Sequence, residues 1–164
     1  MVLSKIVSGG QTGVDRGALD AALEHRFPCG GWCPPGRLAE DGAIPLTYPV
    51  TEMDHGGYEQ RTRRNVLESD GTVVIYFGYL EGGTEYTAQQ CRLVGKPHIL
   101  IDADETPQVR AADLIASFAK AYSVGTLNVA GPRQSKAPGA HAYAYKVIGL
   151  LLEAGAASSL EAFR

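Results

Sequence analysis

The chain has 164 residues, of which 45% are hydrophobic and 20% charged, and a formal net charge of −3. That length carries one domain with a proper core and falls short of two ordinary ones, so residues 1–164 read as a single domain. The small negative charge excludes a global basic field for nucleic acid, and no apolar run has the length of a membrane span or the pattern of an export signal, which predicts a cytoplasmic protein.

Val2 to Val7 predicts a first strand, which breaks into Ser8-Gly9-Gly10-Gln11-Thr12-Gly13. A helical pattern follows, with Val14, Ala18, Ala21 and Ala22 on one face and Leu19 and Leu23 beside it, fading near His25 and Phe27. Strand, glycine loop and helix start in that order form the layout of a phosphate cradle. Glycine admits an anion close to the backbone, and a helix N-terminus offers unpaired N–H groups and a partial positive charge. Gly9, Gly10, Gln11, Thr12 and Gly13 are therefore candidate ligand contacts. Asp15 either caps the helix or meets a hydroxyl or amino donor.

Residues 28–57 are dense in glycine and proline, which forbids a long helix. A short strand around Gly31 to Cys33 and an extended piece near Leu46 to Val50 are expected. The remainder is a long loop, either a surface excursion or a functional lid. The odd set Cys29, Cys33 and Cys91 reads as thiols in a reducing compartment. Cys29 and Cys33 have the look of half a zinc site, but no second ligand pair follows, and the histidines are scattered, so no metal site is predicted.

Tyr58 to Glu68 is helical, with Arg61 and Arg64 three apart and so on one face, either solvated or turned to a ligand. Thr72 to Phe77 is the clearest buried strand. A second glycine joint, Gly82-Gly83-Thr84-Glu85-Tyr86-Thr87, leads into a helix from Thr84 to about Val94, ended by Gly95. Thr84 and Thr87 fall in its first turn, as anion donors or, for Thr84, as a cap. After a strand from His98 to Ile101, Thr106 caps a helix with Pro107 at its first position, and Ala111, Leu114, Ile115, Phe118 and Tyr122 form its apolar stripe. Thr126 to Ala130 is a strand followed by the third joint, Gly131-Pro132-Arg133-Gln134-Ser135-Lys136, where Gly131, Arg133 and Ser135 are the candidate contacts. A last helix begins after Pro138, and the tail from Gly155 is a short helix or frayed.

Strands alternating with helices predict an α/β three-layer sandwich with a mainly parallel central sheet. In such a sheet ligands bind beyond the carboxyl ends of the strands, and all three glycine joints leave those ends. Their convergence predicts a site for a phosphorylated or oxyanionic small molecule. The first loop lacks the Lys-Ser/Thr ending of a P-loop and fails the dinucleotide spacing. No serine or cysteine stands in a nucleophile elbow; Glu59, Glu68 and Glu85 qualify as general bases by type alone. Trp32, Tyr48, Tyr58, Phe77 and Tyr79 lie near the candidate loops, as stacking rings or as core.

Several ordered stretches carry a resemblance that runs from Ile6 to about Leu152: Ser8 to Ala22, Ala-Glu-Asp-Gly-Ala-Ile-Pro at 39–45, Arg61-Thr62 with Asn65-Val66, Ser69 to Thr72, Gly82-Gly83-Thr84 with Thr87, and Ala130 to Ser135. Together they resemble the molybdenum carrier proteins, a circularly permuted YpsA-related branch of the SLOG superfamily. The resemblance implies a Rossmann-like fold, homo-oligomers, and a binding or carrier function with molybdenum cofactor or molybdate as cargo. The wider superfamily also implies an alternative, a nucleotide sensor or a LOG-like nucleoside 5'-monophosphate phosphoribohydrolase. Those hydrolases carry Pro-Gly-Gly-x-Gly-Thr-x-x-Glu with a catalytic glutamate. Here that position is Thr87, which argues against the hydrolase, and Arg61 is the nearest analogue of their helical arginine. Catalysis would then fall to Glu85, or to Glu40 or Asp41 of the long loop.

Overall fold

The computed structural model describes residues 3–164. Its main sheet has five parallel strands: β1 (Lys5–Val7), β2 (Cys29–Gly30), β7 (Gly71–Tyr76), β8 (His98–Asp102) and β9 (Thr126–Ala130), in the order β2-β1-β9-β7-β8. Five helices surround it: α1 (Val14–Glu24), α2 (Tyr58–Leu67), α3 (Gly82–Val94), α4 (Gln108–Ala121) and α5 (Ala140–Glu161). This is a Rossmann-like α/β sandwich.

The period-2 alternation of the strands sorts the two faces. Ile6, Val73, Ile75, Ile101, Leu127 and Val129 pack into one core with apolar residues of α1, α4 and α5. Full burial of each such side chain contributes about 1.5–3 kcal/mol. The intervening positions turn to the side of α2 and α3, which pack on each other, α3 lying against β7. Two of these positions are polar and buried: the Asn128 amide donates to Thr72 Oγ1 at 3.2 Å. The last strand in sequence inserts between β1 and β7, so the chain ends leaving β1, β9 and β7 are neighbours on one edge.

Several sequence expectations shift. The first strand is shorter than Val2 to Val7: it starts at Lys5, and Val2 lies outside the described residues. Leu23 and Tyr122 are 39% and 59% exposed, so neither completes its helix's apolar stripe. Helix α3 begins at Gly82, with Glu81 rather than Thr84 at the cap position. Helix α4 starts one residue late, with Pro107 at the cap and no side-chain cap bond from Thr106. The tail continues α5 without a break to Glu161.

Residues 28–57 depart most from expectation. The segment Leu46 to Val50 is a turn rather than an extended piece. Around it lie two small pieces of ladder: β3 (Trp32–Cys33) pairs in parallel with β6 (Thr51–Glu52), and β4 (Leu38–Ala39) antiparallel with β5 (Gly42–Ala43). Arg37 organises the turn. With φ at +54° it points its guanidinium back into the loop and donates to the carbonyls of Ile44, Pro45, Tyr48 and Val50 at 2.9–3.0 Å. Cys33, Ala39, Ile44 and Val50 form a small core under this flap against Leu19 of α1. Arg37→Ala is expected to strip four carbonyls of their donors and cost about 2 kcal/mol. Hydrogen exchange of residues 44–50 should then become fast while the main sheet stays protected; equal protection in both proteins would show the flap standing without Arg37.

Candidate functional site

The carboxyl-end edge of the sheet opens into a cleft of about 300 Å³, lined from the β1–α1 loop, α2, the N-terminus of α3 and the β9–α5 loop. That volume lies at the small end for ligand pockets. Ten of the predicted contacts meet there: Gly9, Gln11, Asp15, Arg61, Gly82, Gly83, Thr84, Thr87, Gly131 and Arg133. Gly10, Thr12, Gly13, Arg64 and Ser135 do not line it.

The three glycine joints differ in what their N–H groups do. In the β1–α1 loop several of the donors are taken by the protein itself. Gln11 N–H donates to Asp15 Oδ2 at 3.2 Å, Thr12 N–H to Gln11 Oε1 at 3.0 Å, and Val14 N–H to the Pro132 carbonyl at 3.2 Å. The anion in this first cradle is the carboxylate of Asp15. Burial pushes its pKa up, against the lowering pull of the Arg61 guanidinium and of donors that include the Gln11 and Gly9 N–H groups. Arg61 Nη1 donates to the Gly9 carbonyl at 2.7 Å and stands 3.9 Å from Asp15 Oδ2. A Cβ on Gly9 would collide with that guanidinium, so this glycine makes room for an arginine.

At α3 the donors are free of helical partners. The first helical bond runs from Glu85 N–H to the Glu81 carbonyl, which leaves Gly82, Gly83 and Thr84 with the orphan amides of a helix start. Nothing lies within 4 Å of a Cβ built on Gly82 or Gly83, so both face open space at the cleft. Thr87 Oγ1 donates to the Gly83 carbonyl at 2.9 Å. Glu85 is exposed and does not line the cleft.

In the β9–α5 loop Arg133 and Lys136 face the cleft. Ser135 instead meets Glu40 of the flap: its hydroxyl donates to Oε2 at 2.5 Å and its N–H to Oε1 at 3.2 Å. Thr12 Oγ1 donates to the same carboxylate and accepts the Gln134 N–H at 3.1 Å. Hydrogen bonds from Ser135 and Thr12 hold the Glu40 carboxyl below its usual range. Beside this contact Asp41 takes a bidentate pair from Arg16 at 2.6 and 2.8 Å. Neither Glu40 nor Asp41 reaches the cleft.

Two expectations about the arginines and glycines are corrected. Arg61 and Arg64 do not act together: Arg64 stacks on Trp32, 3.5 Å from the ring centroid, and pairs with Glu68. Gly10 backs onto Ile44 of the flap rather than a ligand space. Glu59, a possible general base by type, also lines the cleft, and the sequence reading gave no contact role to several other lining residues, among them Thr62, Glu81, Tyr86 and Asn128. Asn128 carried a signal, since a polar residue inside the apolar run Thr126 to Ala130 needs a purpose. Tyr58 is within reach of two cations, with the Arg61 and Arg133 guanidinium carbons 5.4 and 5.6 Å from its ring centroid. Among the described residues no group of three or more His, Cys, Asp or Glu side chains is disposed to hold a metal ion, and no helix is long and apolar enough to cross a membrane.

Comparison with known proteins gives two matches. The model of the circularly permutated YpsA SLOG family matches residues 6–152. A crystal structure from Syntrophus aciditrophicus SB, named a "putative molybdenum carrier protein", is 44% identical, with a TM-score of 0.89 over 92% of this chain and 96% of that one. No curated protein matches the chain.

Proposed function

The chain belongs to the circularly permuted YpsA SLOG family, and on that premise we propose that it is a binding or carrier protein for a phosphorylated or oxyanionic small molecule, of the molybdate or molybdenum-cofactor kind. One observation carries the reading: the free amides of Gly82, Gly83 and Thr84 share a cleft with Arg133, Lys136 and Arg61. N–H, hydroxyl and cationic donors suit an oxygen-rich anion, and the guanidinium fork suits it further by donating two parallel bonds. Molybdenum would be held through its oxo groups, and the phosphate of a molybdenum cofactor would suit the same amides. The name of the Syntrophus protein points to the same cargo. Homo-oligomers, as the family resemblance implies, and a reducing cytoplasm, as the odd cysteine set and the lack of an export-signal pattern suggest, are part of this reading.

The carboxylate that would make the chain a phosphoribohydrolase is replaced by Thr87, whose hydroxyl is turned to Gly83. This supports binding over hydrolysis. A thermal-shift series with molybdate, tungstate, phosphate, nucleoside monophosphates and isolated molybdenum cofactor tests the reading. A ligand at ~100 times its Kd adds about 2.7 kcal/mol and should raise the midpoint by roughly 5–10 °C. Arg133→Ala should weaken binding of the responding ligand about 10–100-fold, as expected for loss of a charge-assisted bond, and Thr84→Val about 10-fold. Undiminished binding by both variants would remove the cleft from consideration. A response confined to nucleoside monophosphates, with release of free base, would favour the hydrolase instead.

A further inference from the structure

We propose that Thr12, Gln134 and Ser135 form a second anion subsite, filled in this structure by the flap's own Glu40, so that a phosphate or molybdate group binds there only by displacing that carboxylate. The proposal rests on the reading above for the class of ligand, but it concerns different donors. Three donors from two different loops converge on the carboxylate: the Thr12 hydroxyl, the Ser135 hydroxyl and the Ser135 N–H. The Gln134 N–H donates to Thr12 Oγ1, which leaves the hydroxyl proton of Thr12 to aim at the acceptor. The set is therefore oriented for oxygen atoms of an anion, whichever molecule supplies them.

Glu40 is a weak occupant. It is exposed to solvent, and the bonds it makes are open to competition from water. A tetrahedral oxyanion offers more acceptor oxygens than a carboxylate on the same three donors. Arg133, two residues from Ser135, lines the main cleft and also exerts its positive charge on Glu40. It stands where it can serve both anion positions. The flap need not unfold for the exchange, because Asp41 stays clamped to Arg16 and Arg37 holds the turn carbonyls. Only the Glu40 side chain has to swing out.

The test is a titration of ¹⁵N-labelled protein with inorganic phosphate and with molybdate, at constant ionic strength set by chloride. The parent is compared with Glu40→Ala and Glu40→Gln. If Glu40 fills its cradle about nine-tenths of the time, removing it should lower the half-saturating concentration at the Ser135 amide about tenfold. The glutamine variant should fall between. Equal half-saturation in parent and Glu40→Ala, or a Ser135 amide that responds in neither, would overturn the proposal and leave Glu40 as a fastener of the flap. The amides of Gly82, Gly83 and Thr84 report on the main cleft in the same spectra. A response there with silence at Ser135 retires the second subsite alone; a Ser135 response with silence there retires the reading of the cleft.

Discussion

Gly13→Ala is expected to remove about 3–5 kcal/mol of stability and to lower the melting midpoint by roughly 10 °C. Gly13 precedes α1 with φ +83° and ψ −127°, a conformation that residues with a Cβ rarely adopt. Space is the second obstacle. An added Cβ would lie 2.7 Å from Gln134 N and 2.8 Å from the Arg133 carbonyl carbon, and closer still to the Pro132 carbonyl oxygen. These are backbone atoms, and they are tied in place. Val14 N–H donates to the Pro132 carbonyl at 3.2 Å and Gln134 N–H to Thr12 Oγ1 at 3.1 Å. The alanine must therefore force apart the loops after β1 and β9, which form one side of the cleft. Gly36→Ala supplies the comparison: φ is +74° but nothing lies within 4 Å, so strain acts without collision. Its cost should be about 1 kcal/mol. Urea denaturation of both variants decides the matter. Equal losses would show that the two loops are not locked through Gly13.

The same position shows how far the sequence could be read. The strands were legible because Thr72 to Phe77 and Thr126 to Ala130 are mostly apolar runs of strand length, rich in β-branched residues and bounded by glycine, which decides for strand over a buried helix. A general rule of parallel sheets implies that the three joints share one edge, and residues of all three line one cleft. The partners of the donors within the joints could not be read from the sequence. A glycine loop before a helix announces room for an anion but does not say whose. Here Asp15 is the acid at the first cradle and Glu40 meets Thr12 and Ser135, and an acid at a helix start or in a loop does not show from the sequence which donors it will meet. The flap was illegible for a related reason. Its order comes from one arginine reaching four carbonyls and from Ile44 seated against Gly10, long-range contacts that leave no periodic trace. Arg61 and Arg64 share a helical face by spacing, yet Tyr58 with Asp15 claims one and Trp32 the other.

Arg61→Ala is expected to cost about 3 kcal/mol near neutral pH, and the deficit should shrink on acidification. The reason lies in Asp15. Both side chains are about nine-tenths buried, at 9% and 10% exposure, and removing the guanidinium leaves a carboxylate without its cation. The N–H donors that include Gln11 remain, so the charge is not wholly unsatisfied, and the separation of 3.9 Å keeps the expected loss at the lower end for a broken buried pair. The pH dependence has a definite sign. Burial already raises the folded-state pKa of Asp15 above the ordinary 3.8. Loss of Arg61 removes the chief opposing influence and raises it further. A carboxyl raised in the folded state takes up its proton there before it does in the unfolded chain. Stability therefore falls as pH rises from the ordinary value through the folded one, and is recovered as pH is lowered through the same window. Arg61→Ala should show this slope more steeply than the parent. Asp15→Asn in the Arg61→Ala background should flatten the slope and restore part of the loss, because the buried group is then neutral at every pH. Denaturation midpoints of the parent, Arg61→Ala, Asp15→Asn and the double variant at about pH 5 and about pH 7.5 would measure the coupling. A deficit that is the same at both pH values, and is not relieved by Asp15→Asn, would mean that Arg61 acts through the Gly9 carbonyl and the Tyr58 ring instead. In that case its charge is left uncompensated in the cleft, and it becomes a full partner of Arg133 in attracting the anion.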